Sequence, residues 1–168
     1  MIQQAETLHA IAGIAIALMG FTGIVVVLGG RSGREWTPVE TISVRTLLET
    51  SVTALFGSFL PILLAYVWES EGGVWRLSNA LLAAGHLANM VAYFVRARRL
   101  PGVRVSTRRP GEAIALAIGI GFIFAHILTA AGALPWYVFI FVLGLLDQIA
   151  VAVHQFILLL IPHDESAV

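Results

Sequence analysis

At 168 residues, 58% hydrophobic and only 12% charged, with a mean hydropathy of +0.89, the chain lies far from the roughly 25% charged make-up of soluble domains, which excludes water as its main solvent. Its ten basic residues balance its ten acidic ones, so net charge gives no argument for a nucleic-acid partner. Cysteine is absent, excluding disulfides, thiolate metal sites and thiol catalysis; lysine is absent as well, excluding a retinal Schiff base or any other lysine imine.

The apolar residues fall in blocks close to the ~20 residues that span hydrocarbon. They predict an all-α, polytopic transmembrane bundle of five helices forming one domain over residues 1–168. The first span, about 8–28, starts near Met1 with no arginine ahead of it, unlike a cleavable signal peptide, and reads as a retained helix. After a polar loop with Arg31 and Arg34, Thr37-Pro38-Val39-Glu40 has the form of a capping box with proline at the first helical position. This box opens a second helix whose span is about 44–68, and Glu69-Ser70-Glu71-Gly72-Gly73 reads as the turn that follows. The third span, about 74–94, runs into Arg96, Arg98, Arg99, Arg104, Arg108 and Arg109, a stretch interrupted by Pro101-Gly102. Arg109-Pro110-Gly111-Glu112 opens the fourth span, about 112–131; Gly132-Ala133-Leu134-Pro135 breaks it before the fifth, about 136–161. A short tail carries His163, Asp164 and Glu165.

Short cytoplasmic loops carry the Arg excess. The arginines flank the connections between the first and second and the third and fourth helices, which lie on one side of a five-helix chain. The expected protein is therefore a multi-pass protein of the cell membrane with its N-terminus outside and its C-terminus in the cytoplasm. The arginine stretch at 96–109 could also contact anionic lipid, at about 1 kcal/mol per arginine near the surface, although topology alone accounts for it. Trp36, Trp68, Trp75 and Trp136 stand at predicted helix ends, where indole rings anchor in the headgroup layer. Ala80, Ala84, Ala88 and Ala92 on the third helix, and Ala117, Gly121 and Ala125 on the fourth, recur every four residues and read as faces for close helix packing.

Polar residues inside the spans mark a candidate site, because ionisable groups are costly in hydrocarbon and face a bundle interior or cavity. At 100° per residue Asn79, His86 and Tyr93 share a face within about 40°, Asn89 lies about 60° from His86, and the alanine ridge lies opposite. On the fifth helix Asp147 and His154 form one column, with Gln148 and Gln155 in a second beside it. Thr46, Thr50 and Thr53 make a stripe on the second helix, near Glu49. Counted at 1.5 Å per residue, His86 and Asp147 both lie about 16 to 18 Å deep. A carboxyl group in hydrocarbon favours its neutral form unless a neighbouring base takes up the proton, so either state calls for a partner.

The leading functional expectation is a small channel or transporter in which His86, Asn89, Asp147, Gln148 and His154 form a proton-responsive path. An oligomer is expected, because few helices are present to enclose a pathway. One alternative is a redox subunit holding a b-type haem between His86 and His126, although their estimated depths differ by about 8 Å. Another is a non-catalytic subunit of a larger membrane complex, its polar groups serving assembly only. No cofactor is otherwise expected and no metal site is read, since HExxH and any local cluster of three ligands are missing. Cysteines introduced at Gly72 and Arg104 are expected to react with an impermeant thiol reagent from opposite faces of the membrane. Labelling of both from one face would refute the five-helix topology.

Overall fold

The computed structural model describes residues 4–31, 35–99 and 110–160 of the chain. Arg34, Arg104, Arg108, Arg109 and the tail with His163 lie outside the described residues, and with them much of the 96–109 stretch expected to meet anionic lipid.

The described residues form an all-α bundle of five helices: α1 (Ala5–Arg31), α2 (Pro38–Leu64), α3 (Glu71–Arg99), α4 (Pro110–Ala130) and α5 (Tyr137–Leu160). Each is long and apolar enough to cross a membrane. The capping box is formed, with the Glu40 amide donating to Thr37 Oγ1 at 3.2 Å and the Thr37 amide donating back to Glu40 Oε2 at 2.9 Å. α2 ends at Leu64, four residues before the expected boundary. Pro61, buried in its last turns, has no amide to donate one turn back, and the chain leaves the helix just beyond it, with the Ala65 amide donating to Pro61 O at 3.1 Å. α3, by contrast, starts earlier and ends later than its apolar stretch, absorbing Glu71 and the arginines up to Arg99. At the end of α4 Gly132 adopts a φ of 79°; its amide donates to Thr129 O at 3.0 Å and that of Ala133 to Leu128 O at 2.8 Å, the Schellman arrangement that only glycine enters without strain.

α5 is the central element and packs against all four others. α1 lies in the groove between α2 and α5, and α4 in the groove between α3 and α5; α1 and α4 do not meet. The dry core gathers Leu8, Ala54, Trp75, Leu82, Phe141 and Leu145 at the end of the bundle where α1, α3 and α5 begin. Trp75 is fully buried there, edge-on to Phe141 at 5.6 Å, and so is a core residue rather than the headgroup anchor expected of it. Trp68 and Trp136 are exposed, as anchors require.

Beside this core the bundle buries many polar side chains and keeps its outer surface apolar, the distribution that hydrocarbon favours. Ser51, Ser58, Ser78, Asn79, His126 and Thr129 are almost completely buried, while Ile16, Phe56, Ile114, Phe124 and Phe139 are more than half exposed. Most of the hydroxyls are satisfied within their own helix, bonding the carbonyl one turn back, as Ser58 does to Ala54 O and Thr129 to Ala125 O, both at 2.7 Å. Contrary to expectation, the alanine ridge is not an internal packing face. Ala80, Ala84 and Ala88 are exposed, as are Ala117 and Gly121. A helix has one inward face here, and on α3 the costlier groups, Asn79 and His86, occupy it.

Close approach is made instead at Gly57, Gly85 and Gly144. A Cβ at Gly144 would stand 2.1 Å from His126 Nε2, one at Gly57 2.7 Å from Leu145 Cδ2, and one at Gly85 3.0 Å from Thr53 Cγ2. Gly144→Ala is therefore expected to destabilise the protein by about 1–3 kcal/mol, as overpacking of a closed interior does. Gly121→Ala, with nothing within 4 Å of the added methyl, is expected to be neutral or slightly stabilising. Thermal midpoints in detergent check the contrast, and equal effects would refute it.

Candidate functional site

α3 supplies the spine of the site because its inward stripe carries Asn79, His86 and Asn89 in succession. Asn79 is fully buried and donates through Nδ2 to two backbone carbonyls, Trp75 O at 2.8 Å and Tyr137 O at 3.0 Å. Since carbonyls only accept, this orients the amide and turns Oδ1 toward His126 Nδ1, 2.7 Å away. His126 therefore carries its proton on Nδ1 when neutral, and Nε2 is a bare lone pair packed against the backbone of Gly144.

The same logic applies one step along the bundle. His86 Nδ1 lies 3.1 Å from Leu82 O, again an obligate acceptor, so Nδ1 is the donor and Nε2 is left for another partner. That nitrogen is 3.4 Å from Asp147 Oδ2. The two residues expected at one depth thus meet across α3 and α5, with His86 almost completely buried and the Asp147 side chain 13% exposed. With the Nδ1 proton committed to Leu82, Nε2 is turned toward the carboxyl group, near enough to interact with it but without hydrogen-bond geometry in this arrangement.

Below the pair Asn89 joins three helices. Its amide nitrogen donates to Thr53 Oγ1 on α2 and to Gln148 Oε1 on α5, both at 2.9 Å. Thr53 in turn donates to Glu49 O at 2.9 Å, and the Glu49 carboxylate is gripped at both oxygens by the Arg96 guanidinium, Nη1 to Oε1 at 2.7 Å. Arg96 thus closes onto α2 rather than standing in a basic loop. A polar series consequently runs from the first turn of α5, through Asn79, His126, His86 and Asp147, to Asn89, Gln148 and the Glu49–Arg96 pair.

Beside the lower half of this series α2, α3, α4 and α5 surround a cavity of about 200 Å³. Its polar wall includes Thr46, Thr50, Asn89, Asp147, Gln148 and Gln155. The cavity lies toward the Arg96 end of the bundle, and the dry Trp75–Phe141 core lies toward the other.

Of the residues expected in the path, His86, Asn89, Asp147 and Gln148 are brought together and His154 is not. His154 is exposed on the outer side of α5. The angular drift of about 20° over seven residues, added to Asp147's place at the margin of the inward face, carries it outside. Gln155, in the neighbouring column, lines the cavity instead. His126 joins the site despite its shallower estimated depth; the His86 and His126 ring centroids are 5.3 Å apart. Side chains lean toward the N-terminus of their own helix. α3 and α4 are antiparallel, so the two imidazoles lean toward each other and close a gap that counting along the axis overstates.

Among the described residues no group of three or more His, Asp or Glu side chains could hold a metal ion. No protein-family model, curated protein or solved structure matches the chain. The geometry itself predicts energetic coupling between His86 and Asp147. The double variant His86→Leu/Asp147→Asn is expected to be less destabilised than the two single variants summed, by about 0.5–2 kcal/mol, because each single change strands a buried partner. Additive midpoints in a double-mutant cycle would show that the contact is not coupled.

Proposed function

We propose that the chain is a small channel or transporter of the cell membrane in which His86 and Asp147 share a proton at mid-bilayer. The observation that carries this reading is the commitment of His86 Nδ1 to Leu82 O, which leaves Nε2 facing Asp147 Oδ2 3.4 Å away. A base and an acid held this close within the spans are suited to exchanging a proton. The cavity supplies access from one direction, since it reaches from Asp147 toward the Arg96 end. By the arginine distribution that end is cytoplasmic, with the N-terminus outside. Other ionisable or charged groups near the pair are His126 on α4, Tyr93 on α3 and the Glu49–Arg96 pair between α2 and α3.

The exposed alanine ridge of α3 supports assembly with a second copy or a partner chain, where small residues let helices approach. A haem held between His86 and His126 has less support. The two ring centroids are only 5.3 Å apart, too close for a porphyrin plane between them, and His126 Nε2 is packed on Gly144.

Reconstituted in liposomes loaded with a pH-sensitive dye, the native protein is expected to dissipate an imposed proton gradient. Asp147→Asn is expected to reduce that rate at least about tenfold while eluting and melting as a folded protein, consistent with loss of a proton-bearing group. His154→Ala, on the exposed side of α5, is expected to leave the rate unchanged. A native rate equal to that of empty liposomes would overturn the proposal.

A further inference from the structure

The cavity below the pair has a chemical character that proton access alone does not call for. Acceptors make up much of its polar wall, with the amide nitrogens of Gln148 and Gln155 as donors beside them. Asn89 commits both amide hydrogens to Thr53 and Gln148, which leaves its Oδ1 to accept. Thr50 directs its hydroxyl hydrogen to the carbonyls of Thr46 and Leu47, keeping its oxygen lone pairs free to accept. Two lining residues each bury a side-chain atom without a hydrogen-bond partner, Thr46 Oγ1 and His86 Nε2. Asp147 adds a carboxylate, and among the described residues no arginine lines the space.

The remaining wall is apolar and partly aromatic, with Met90, Tyr93, Phe94, Leu116 and Ile123. A cavity of roughly 150 Å³ accommodates a benzene ring. At about 200 Å³ this one has room for such a ring with a short chain. Acceptors, one carboxyl group and no arginine among the described lining residues select a donor-rich positive group, which takes the place of the proton shared by His86 and Asp147. The aromatic side selects an apolar body and adds cation–π attraction.

We propose that this cavity binds a small monovalent organic cation, a primary ammonium on an apolar body about the size of a phenethyl group. Its three N–H donors match Asp147, Asn89 Oδ1 and Thr46 Oγ1, and its body rests against Tyr93, Phe94 and Leu116. The inference rests on the reading of the cavity as one arm of the path and names the substrate class of that path.

The test is isothermal titration calorimetry of the full chain in lipid nanodiscs, with heats from empty nanodiscs subtracted. Phenethylammonium chloride is expected to bind saturably at one site, and 3-phenylpropionate and 3-phenylpropanol, of similar shape but negative or neutral, at least about tenfold more weakly, as loss of a charged hydrogen-bond partner entails. Asp147→Asn is expected to weaken the ammonium at least about tenfold. Gly119 lines the same space with nothing within 4 Å of an added Cβ, so a side chain can start there without a clash; Gly119→Leu is expected to abolish binding with the thermal midpoint retained. Absence of saturable binding to the native protein, equal binding of the anion or the alcohol, or unchanged binding to both variants would overturn the proposal. Proton flux without amine is measured on the same preparations. Flux without ammonium binding overturns the cation site alone, and ammonium binding without flux overturns the proton path alone.

Discussion

In hydrocarbon a polar side chain has no water to fall back on, so each buried donor and acceptor must find its partner within the protein. Asn79 shows how far that constraint reaches. By donating to carbonyls on its own helix and on α5, it ties α3 to the start of α5 and turns its oxygen to His126. This bond chooses the tautomer of His126 and holds its ring over Gly144, where the absence of a Cβ lets α4 and α5 come together. Asn89 repeats the device one level further along, clasping α2, α3 and α5 through Thr53 and Gln148. Such contacts average only about 0.6 kcal/mol each in membranes. Their larger effect is on register: sliding α3 against α5 by one residue would break them all at once.

The two halves of the bundle divide the work. Where α1, α3 and α5 begin, Trp75, Phe141, Leu8 and Leu145 form a dry plug. Toward Arg96 the helices separate around a polar cavity, and the far end is tied by the Glu49–Arg96 pair joining α2 to α3. The His86–Asp147 contact sits at the boundary between the two, in contact with the cavity on one side and the packed core on the other. The pair therefore borders open space on the cavity side and close packing around His126 and Trp75 on the other.

The same constraint explains why small residues here serve two different purposes. Gly57, Gly85 and Gly144 are inside, each beneath a side chain from a neighbouring helix. The alanines of α3 are outside, because one face of that helix is already taken by its polar residues. Spacing of four identifies a smooth ridge in both cases and does not say which way the ridge points. That depends on which alternative face is more costly to expose to lipid.

Sequence alone determined the solvent, the number of spans and the polar inward stripe of α3, since hydropathy, span length and the cost of buried polar groups are local properties of the chain. Five apolar blocks, the capping box at Thr37 and the shared level of His86 and Asp147 were all legible in this way. Tertiary structure alone decided the partners. Glu49 with Arg96, Asn79 with His126, and Asn89 with Thr53 and Gln148 join residues 36 to 59 positions apart, and no spacing rule connects them. It also decided the exclusion of His154, the burial of Trp75 and the meeting of His86 with His126. These depend on helix tilt, on the lean of side chains toward their own N-termini and on which helix lies beside which, and none of the three is encoded at a single position.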